Sequence, residues 1–342
     1  LPVDLPDHDP AVNGVQARGA RARDFDQARA SRARDFDQRA ARVRGILTGA
    51  ARPVRIRSRN MTIEGYGMRL RLVLAIAALL APAAHAADTP IERGAYLANT
   101  IMACNNCHTP RGPNADLAFS GGQTFDTPDY TVVASNITPD VATGIGGWSD
   151  AELASTMRTG IRPNGVPLAA IMPTGFYGIL SDTDMAAIVA YLRSLPPVNR
   201  VVAAPIYRKA EPHEVFPAAA RPMQDAGGDD PLRRGLYLAT IGHCLECHTA
   251  VEAGRHDYAR LGAGGQLFRG PWGVVASTNI TADPEHGIGA WSDADIRRAI
   301  TQGVARDGTR LKPPMAYANY ARMTQTDLAD LVAWLRTVPP KT

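Results

Sequence analysis

Hydrophobic positions recur at helical spacing in two matched stretches of this 342-residue chain. Met185, Ile188, Val189 and Leu192 fall on one face, and Ser181-Asp182-Thr183-Asp184 ahead of them has the spacing of a helix cap. Leu328, Leu331, Val332 and Leu335 repeat that face behind Thr324-Gln325-Thr326-Asp327. Pro196 and Pro339 stop the two helices. Further helices are predicted over Glu92–Met102 and Leu232–Gly242. Two more open at Trp148-Ser149-Asp150 and Trp291-Ser292-Asp293, with Ser or Asp as N-cap. Period-two alternation is confined to short pieces near Tyr130–Ala134 and Gly273–Ala276. The pattern predicts an all-α protein with long loops.

These matched helices belong to an internal repeat. Arg93-Gly94-Ala95-Tyr96-Leu97-Ala98 matches Arg234-Gly235-Leu236-Tyr237-Leu238-Ala239, and Asn136-Ile137-Thr138 matches Asn279-Ile280-Thr281. Ile145-Gly146-Gly147-Trp148-Ser149-Asp150 matches Ile288-Gly289-Ala290-Trp291-Ser292-Asp293, the offset staying between 140 and 143. Two small domains follow, residues 87–196 and 231–342, joined by a proline-rich linker over 197–230. At about 110 residues, each is of ordinary size for one small domain.

The chain ahead of the repeat has a different character. Residues 1–60 are rich in Arg, Ala and Asp, with Arg21–Gln27 duplicated as Arg32–Gln38. They read as a disordered or over-called extension. Residues 61–86 read as a signal peptide starting at Met61 or Met68: Arg69 and Arg71 are basic, Leu72–Ala81 is apolar, and Ala84-His85-Ala86 is a cleavage pattern. Ten apolar residues are too few to cross a bilayer, which takes about 20. The expected location is therefore periplasmic, with membrane contact only through partners. The leader also carries the basic charge: the whole chain is +4, whereas residues 87–342 hold 22 basic and 25 acidic residues. That balance is no nucleic-acid signature. Residues 87–196 hold 5 basic and 10 acidic residues, against 13 and 10 over 232–342, a contrast suited to steering two different partners.

All four cysteines lie in Cys104-Asn105-Asn106-Cys107-His108 and Cys244-Leu245-Glu246-Cys247-His248. Zinc pairs are usually separated by about 12–20 residues, and a redox dithiol needs no His directly after it. Two thiols three apart and then an imidazole is the pattern that attaches a c-type haem. Cys104, Cys107, Cys244 and Cys247 are the expected thioether residues, and His108 and His248 the proximal iron ligands, of two covalently bound haem c groups. Each proximal His is expected to donate its other ring N–H to a carbonyl. Trp148 and Trp291 either meet the haem or serve as core aromatics.

The succession of helix, Cys-x-x-Cys-His, long loop, Asn-Ile-Thr, Trp-Ser-Asp helix, Met and final amphipathic helix resembles class I c-type cytochromes. The Asn-Ile-Thr and Gly-x-Trp-Ser-Asp signatures are similar to those of cytochrome subunits of membrane-associated bacterial alcohol and aldehyde dehydrogenases. Those subunits usually carry three haem motifs; this chain has two. The resemblance implies a tandem pair of class I cytochrome c domains, each wrapped around its haem. It also implies a Met as second axial ligand ahead of the last helix. Met157, Met172 and Met185 are the candidates in the first half. Met172 stands in a loop and is matched at an offset of 143 by Met315, so this pair is selected.

Two function classes follow. In the first, a periplasmic dihaem cytochrome takes electrons from a dehydrogenase and passes them to quinone, another cytochrome or a terminal oxidase, with no catalytic residue of its own. In the second, a peroxidase-like or thiosulfate-oxidising enzyme leaves one haem open to substrate. His213, His243, His256 and His286 have no partners at the repeat offset and read as surface residues, so the matched methionines favour the carrier.

Overall fold

The computed structural model describes residues 89–209, 214–252, 254–270 and 272–342. The extension over 1–60, the leader over 61–86 and His213 lie outside the described residues.

Each half is built on a pair of crossing helices. In the first, α1 (Pro90–Tyr96) leads to a short helix α2 (Cys104–His108), then α3 (Asp150–Thr159), α4 (Thr174–Tyr177) and α5 (Asp182–Ser194). In the second, α6 (Pro231–Ile241), α7 (Cys244–Cys247), α8 (Asp293–Gln302), α9 (Tyr317–Tyr320) and α10 (Gln325–Leu335) repeat the order. The first and last helices of each half pack together, α1 on α5 and α6 on α10. Both crossings need a glycine: a Cβ on Gly94 would sit 2.0 Å from the Ala187 carbonyl oxygen, and one on Gly235 2.2 Å from that of Asp330. Arg93 and Arg234 then pair with the buried Asp184 and Asp327 of their own half's last helix.

Helix starts follow local chemistry. Ser149 and Ser292 close capping boxes with Glu152 and Asp295, and Ser181 and Thr324 cap the last helices. All eight apolar positions of the two last helices that share a face in the sequence are buried. Arg193 and Arg336 staple those helices to the Trp-Ser-Asp turns. Each guanidinium donates to the preceding Trp carbonyl and to Asp150 or Asp293.

One departure between the halves has a visible cause. The first half carries one extra residue, Asn99, between its Leu-Ala and Thr-Ile pairs. The helix absorbs it by widening into a π turn over Leu97–Ile101, whereas α6 runs as unbroken α-helix.

The fold is not purely helical. β1 (Thr124–Asp126) pairs antiparallel with β2 (Tyr130–Val133), and β2 pairs with β3 (Ile206–Tyr207) from the connecting segment. In the second half β4 (Val251–Glu252) pairs with β5 (Arg255–His256), and β6 (Leu267–Gly270) with β7 (Gly273–Ala276). These ladders give backbone partners to the long loops after each Cys-x-x-Cys-His stretch, where no helix does so. The connecting segment also enters the core: Phe216 and Ala219 are buried, and Phe216 stacks on Phe176 at 5.2 Å.

The halves meet in one compact unit. Asn319 Nδ2 donates to Asn105 Oδ1 at 2.7 Å, and His243 Nε2 lies 2.8 Å from the Met102 carbonyl oxygen. Both contacts fall within two residues of a Cys-x-x-Cys-His stretch.

Candidate functional site

Both Cys-x-x-Cys-His helices are entered through a residue in the left-handed region, Ala103 (φ 49°) and His243 (φ 65°). That reversal ends the preceding helix and starts the Cys-x-x-Cys-His turn at once. The four thiols are unpaired and half-buried. Burial pushes the Cys104 and Cys244 thiols up to about 12. It raises Cys107 to about 11, with the Glu246 carboxylate of the other motif adding to the rise. The two turns are neighbours: His243, directly before Cys244, brings its Nε2 to 2.8 Å from the carbonyl oxygen of Met102, two residues before Cys104.

His108 Nδ1 lies 2.8 Å from the Ser135 carbonyl oxygen, and His248 Nδ1 lies 2.6 Å from that of Thr278. A carbonyl only accepts, so Nδ1 carries the proton and Nε2 holds the lone pair. Burial lowers the pKa of both imidazoles, against the opposing pull of these carbonyls, and favours the neutral ring that a metal needs. No hydrogen bond to Nε2 of either ring is found among the described residues.

The next residues explain how those carbonyls are held. Asn136 Oδ1 accepts from the Thr138 amide and hydroxyl at 3.0 and 2.7 Å, while its Nδ2 donates to the Val198 carbonyl at 2.7 Å. Asn279 Oδ1 accepts from the same two groups of Thr281 at 2.8 and 2.7 Å, and Nδ2 donates to the Lys341 carbonyl at 2.6 Å. Each Asn-Ile-Thr is thus an Asx clamp that ties the residue holding the histidine to the chain beyond the last helix. Sequence reasoning had the signature but not its role. The carbonyls of Ser135 and Thr278 leave no side-chain signal beyond standing directly before it.

Met172 and Met315 lie half-buried in the loops just ahead of α4 and α9 and pack against the core. Met157, Met185 and Met323 are buried core residues. Trp148 and Trp291 are half-buried and pack against the same core. His256 and His243, expected at the surface, are taken up by the interior. His256 Nδ1 meets Glu214 Oε2 at 2.7 Å and its Nε2 meets the Glu246 carbonyl oxygen at 3.0 Å.

A family model for cytochrome c matches residues 91–196 and again 234–339. The chain belongs to the cytochrome c family. It is 33% identical over 237 residues to the gluconate 2-dehydrogenase cytochrome c subunit of Pantoea cypripedii, covering 63% of this chain and 52% of that one. It is 31% identical over 269 residues to the fructose dehydrogenase cytochrome subunit of Gluconobacter japonicus, covering 73% and 53%. A diheme cytochrome c-type of Cereibacter sphaeroides is 31% identical over 257 residues, covering 69% and 82%. The chain spans about half the length of the two dehydrogenase subunits.

Two cytochrome c domains imply two covalently bound haem c groups in this chain. The donor set fits the group: each domain offers a thiol pair and a neutral imidazole whose Nδ1 is already held by a carbonyl. Among the described residues, no cluster of three or more His, Cys, Asp or Glu could hold a free metal ion. No helix among them is long and apolar enough to cross a membrane.

Proposed function

We propose that this cytochrome carries electrons, one at a time, from a periplasmic dehydrogenase to quinone, another cytochrome or a terminal oxidase. Haem c supplies a one-electron iron couple at each site. Cys104 and Cys107 hold the first haem and Cys244 and Cys247 the second, as thioethers. His108 with Met172, and His248 with Met315, would hold the two irons. The domains run over 87–196 and 231–342, with 197–230 as the connecting strap, and a leader at 61–86 directs export.

The observation that carries this reading is the repeated bond from histidine Nδ1 to a clamped carbonyl, at 2.8 Å in one half and 2.6 Å in the other. It fixes the ring orientation and leaves Nε2 for iron. Met172 and Met315 would supply the second ligand to each iron. A thioether also favours the ferrous state more than a second imidazole does, which raises the potential. The dehydrogenase partner is supported by the similarity to cytochrome subunits of gluconate and fructose dehydrogenases.

The test is a spectrally monitored redox titration of the haem-loaded protein, with carbon monoxide added to the reduced form. Two haems per chain, both of fairly high potential and both unreactive to carbon monoxide, are expected. A haem that binds carbon monoxide, or one of low potential, overturns the paired Met172 and Met315 assignment and favours an enzyme with an open site.

A further inference from the structure

Asn319 stands on α9 four residues beyond Met315, yet its side chain is spent on the other half of the protein. Its Nδ2 donates to Asn105 Oδ1 at 2.7 Å and to the Asn99 carbonyl at 2.6 Å. Asn105 lies between the two cysteines of the first attachment turn. Asn99 is the extra residue of the π turn that leads into it. A carbonyl in the last turn of a helix lacks an intrahelical partner. Here two donors from the second half supply one, the Asn319 amide and the Arg322 guanidinium. The neighbouring Tyr320 donates instead to Gly242, two residues before Cys244. The short segment after Met315 therefore grips both attachment turns, its own through Tyr320 and the other through Asn319.

The first half crosses over by different chemistry. Phe176 occupies the position equivalent to Asn319. It meets the His256 ring edge-on at 5.4 Å, and His256 Nε2 reaches the Glu246 carbonyl inside the second attachment turn. Tyr177 lies 3.2 Å from His243 Nε2, next to Cys244. Each methionine segment is thus keyed to the attachment turn of the opposite haem. The second half uses an amide because the inserted Asn99 and Asn105 present two acceptors, and an amide nitrogen has two protons to give.

We propose that Asn319 is a positioning residue that couples the two haem sites, holding the Met315 segment of the second against the attachment turn of the first. Ligation at the second iron and the setting of the first haem are then adjusted together. This rests on the reading of Met315 as an axial ligand.

The experiment uses the haem-loaded full chain and four variants: Asn319→Leu, Asn319→Gln, Asn105→Ala and Met315→Ala. Asn319→Leu keeps the volume and removes the donors. It is expected to weaken the far-red methionine-to-ferric-iron absorption by the portion that Met315→Ala abolishes, and to shift both potentials. Asn319→Gln, which keeps two donors on a longer arm, restores part of each. Asn105→Ala gives a shift of the same sign, and its combination with Asn319→Leu adds little to either alone. A loss of thermal stability with the absorption and both potentials unchanged overturns the proposal. So do shifts from Asn105→Ala and Asn319→Leu that simply add. If Met315→Ala leaves the far-red absorption intact and the haem still unreactive to carbon monoxide, the ligand reading itself fails, whatever Asn319→Leu does.

Discussion

Tyr96 reaches out of the first repeat to donate its hydroxyl to Asp327 of the second at 2.7 Å. The same bond runs in the opposite direction from Tyr237 to Asp184, also at 2.7 Å. Each aspartate is held by the arginine of its own half, Arg234 or Arg93, and by the tyrosine of the other. A carboxylate 1% exposed, as Asp327 is, needs every donor it has. The two domains are therefore locked by a pair of symmetric, buried, charge-assisted bonds. Loss of one donor from a buried acceptor costs about 1–3 kcal/mol. Tyr96→Phe is expected to fall in that range. Asp327→Ala should cost about 3 kcal/mol, the low end for breaking a buried pair, because Arg234 is about a third exposed and can turn to water. Denaturant unfolding of the haem-loaded chain followed by circular dichroism measures both. Unchanged midpoints for the two variants would show that the lock contributes nothing.

The crossing glycines predict a sharper contrast. Gly94→Ala would drive a methyl to 2.0 Å from the Ala187 carbonyl oxygen and force α1 away from α5. Overpacking of this kind costs about 3 kcal/mol or more. Gly147→Ala is the control, since its Cβ would meet only the Val141 carbonyl oxygen at an ordinary 3.7 Å. It is expected to stay within about 0.5 kcal/mol of the parent. Thermal melts of the two variants side by side decide whether contact, rather than loss of glycine as such, is responsible.

Much of this architecture was legible because it is local. Caps at Ser149, Ser292, Ser181 and Thr324 depend on residues three apart, and the buried faces of α5 and α10 on a period of 3.6. The repeat carried each local signal twice. What escaped is what depends on long-range geometry. His243 and His256 read as surface residues because nothing near them in sequence announces the Met102 carbonyl or Glu214. Alternation showed β2 and β7 in the sequence, but not the strands of two to four residues that pair with them or the β4–β5 ladder, which form where a loop finds a partner. The insertion of Asn99 was visible as a change of offset from 141 to 140. Its outcome as a π turn whose carbonyl faces the other domain was not.

The His243–Glu246 pair predicts a pH dependence of stability. Burial opposes charge on His243, but the Glu246 carboxylate, with Nδ1 to Oε2 at 3.5 Å, outweighs it and raises the imidazole pKa above 6.5. Burial likewise opposes charge on Glu246, and His243 holds its pKa below 4.5. A raised histidine contributes stability that is fully present below its unfolded value and is lost as pH rises through the folded one. A lowered carboxylate contributes above its unfolded value. Both are in force between pH 4.5 and 6.5. His243→Gln is therefore expected to lower the melting temperature most in that window, with the difference from the parent shrinking above it. A constant difference from pH 5 to 9 would rule the pair out as its source.

The loop ahead of each proposed methionine ligand predicts how the two ends of the carrier differ. Arg306, Arg310 and Lys312 are exposed in the second half, beside Asp307. Their repeat equivalents in the first half, at an offset of 143, are Pro163, Pro167 and Ala169, none of them charged. No ion pair of these three side chains is found among the described residues, so they are available to act on whatever approaches the second haem. Exposed charges steer an approaching ion over roughly a Debye length, about 8 Å at physiological salt. Oxidation of the reduced protein by anionic ferricyanide should therefore show a phase that slows as salt is raised. Oxidation by cationic tris(phenanthroline)cobalt(III) should lack that slowing. The triple substitution Arg306→Glu, Arg310→Glu, Lys312→Glu should reverse the salt dependence of that one phase and leave the other as it was. Stopped-flow absorbance resolves the phases. If the triple variant moves both equally, the charge acts through the net field of the molecule, and the second half has no docking preference of its own.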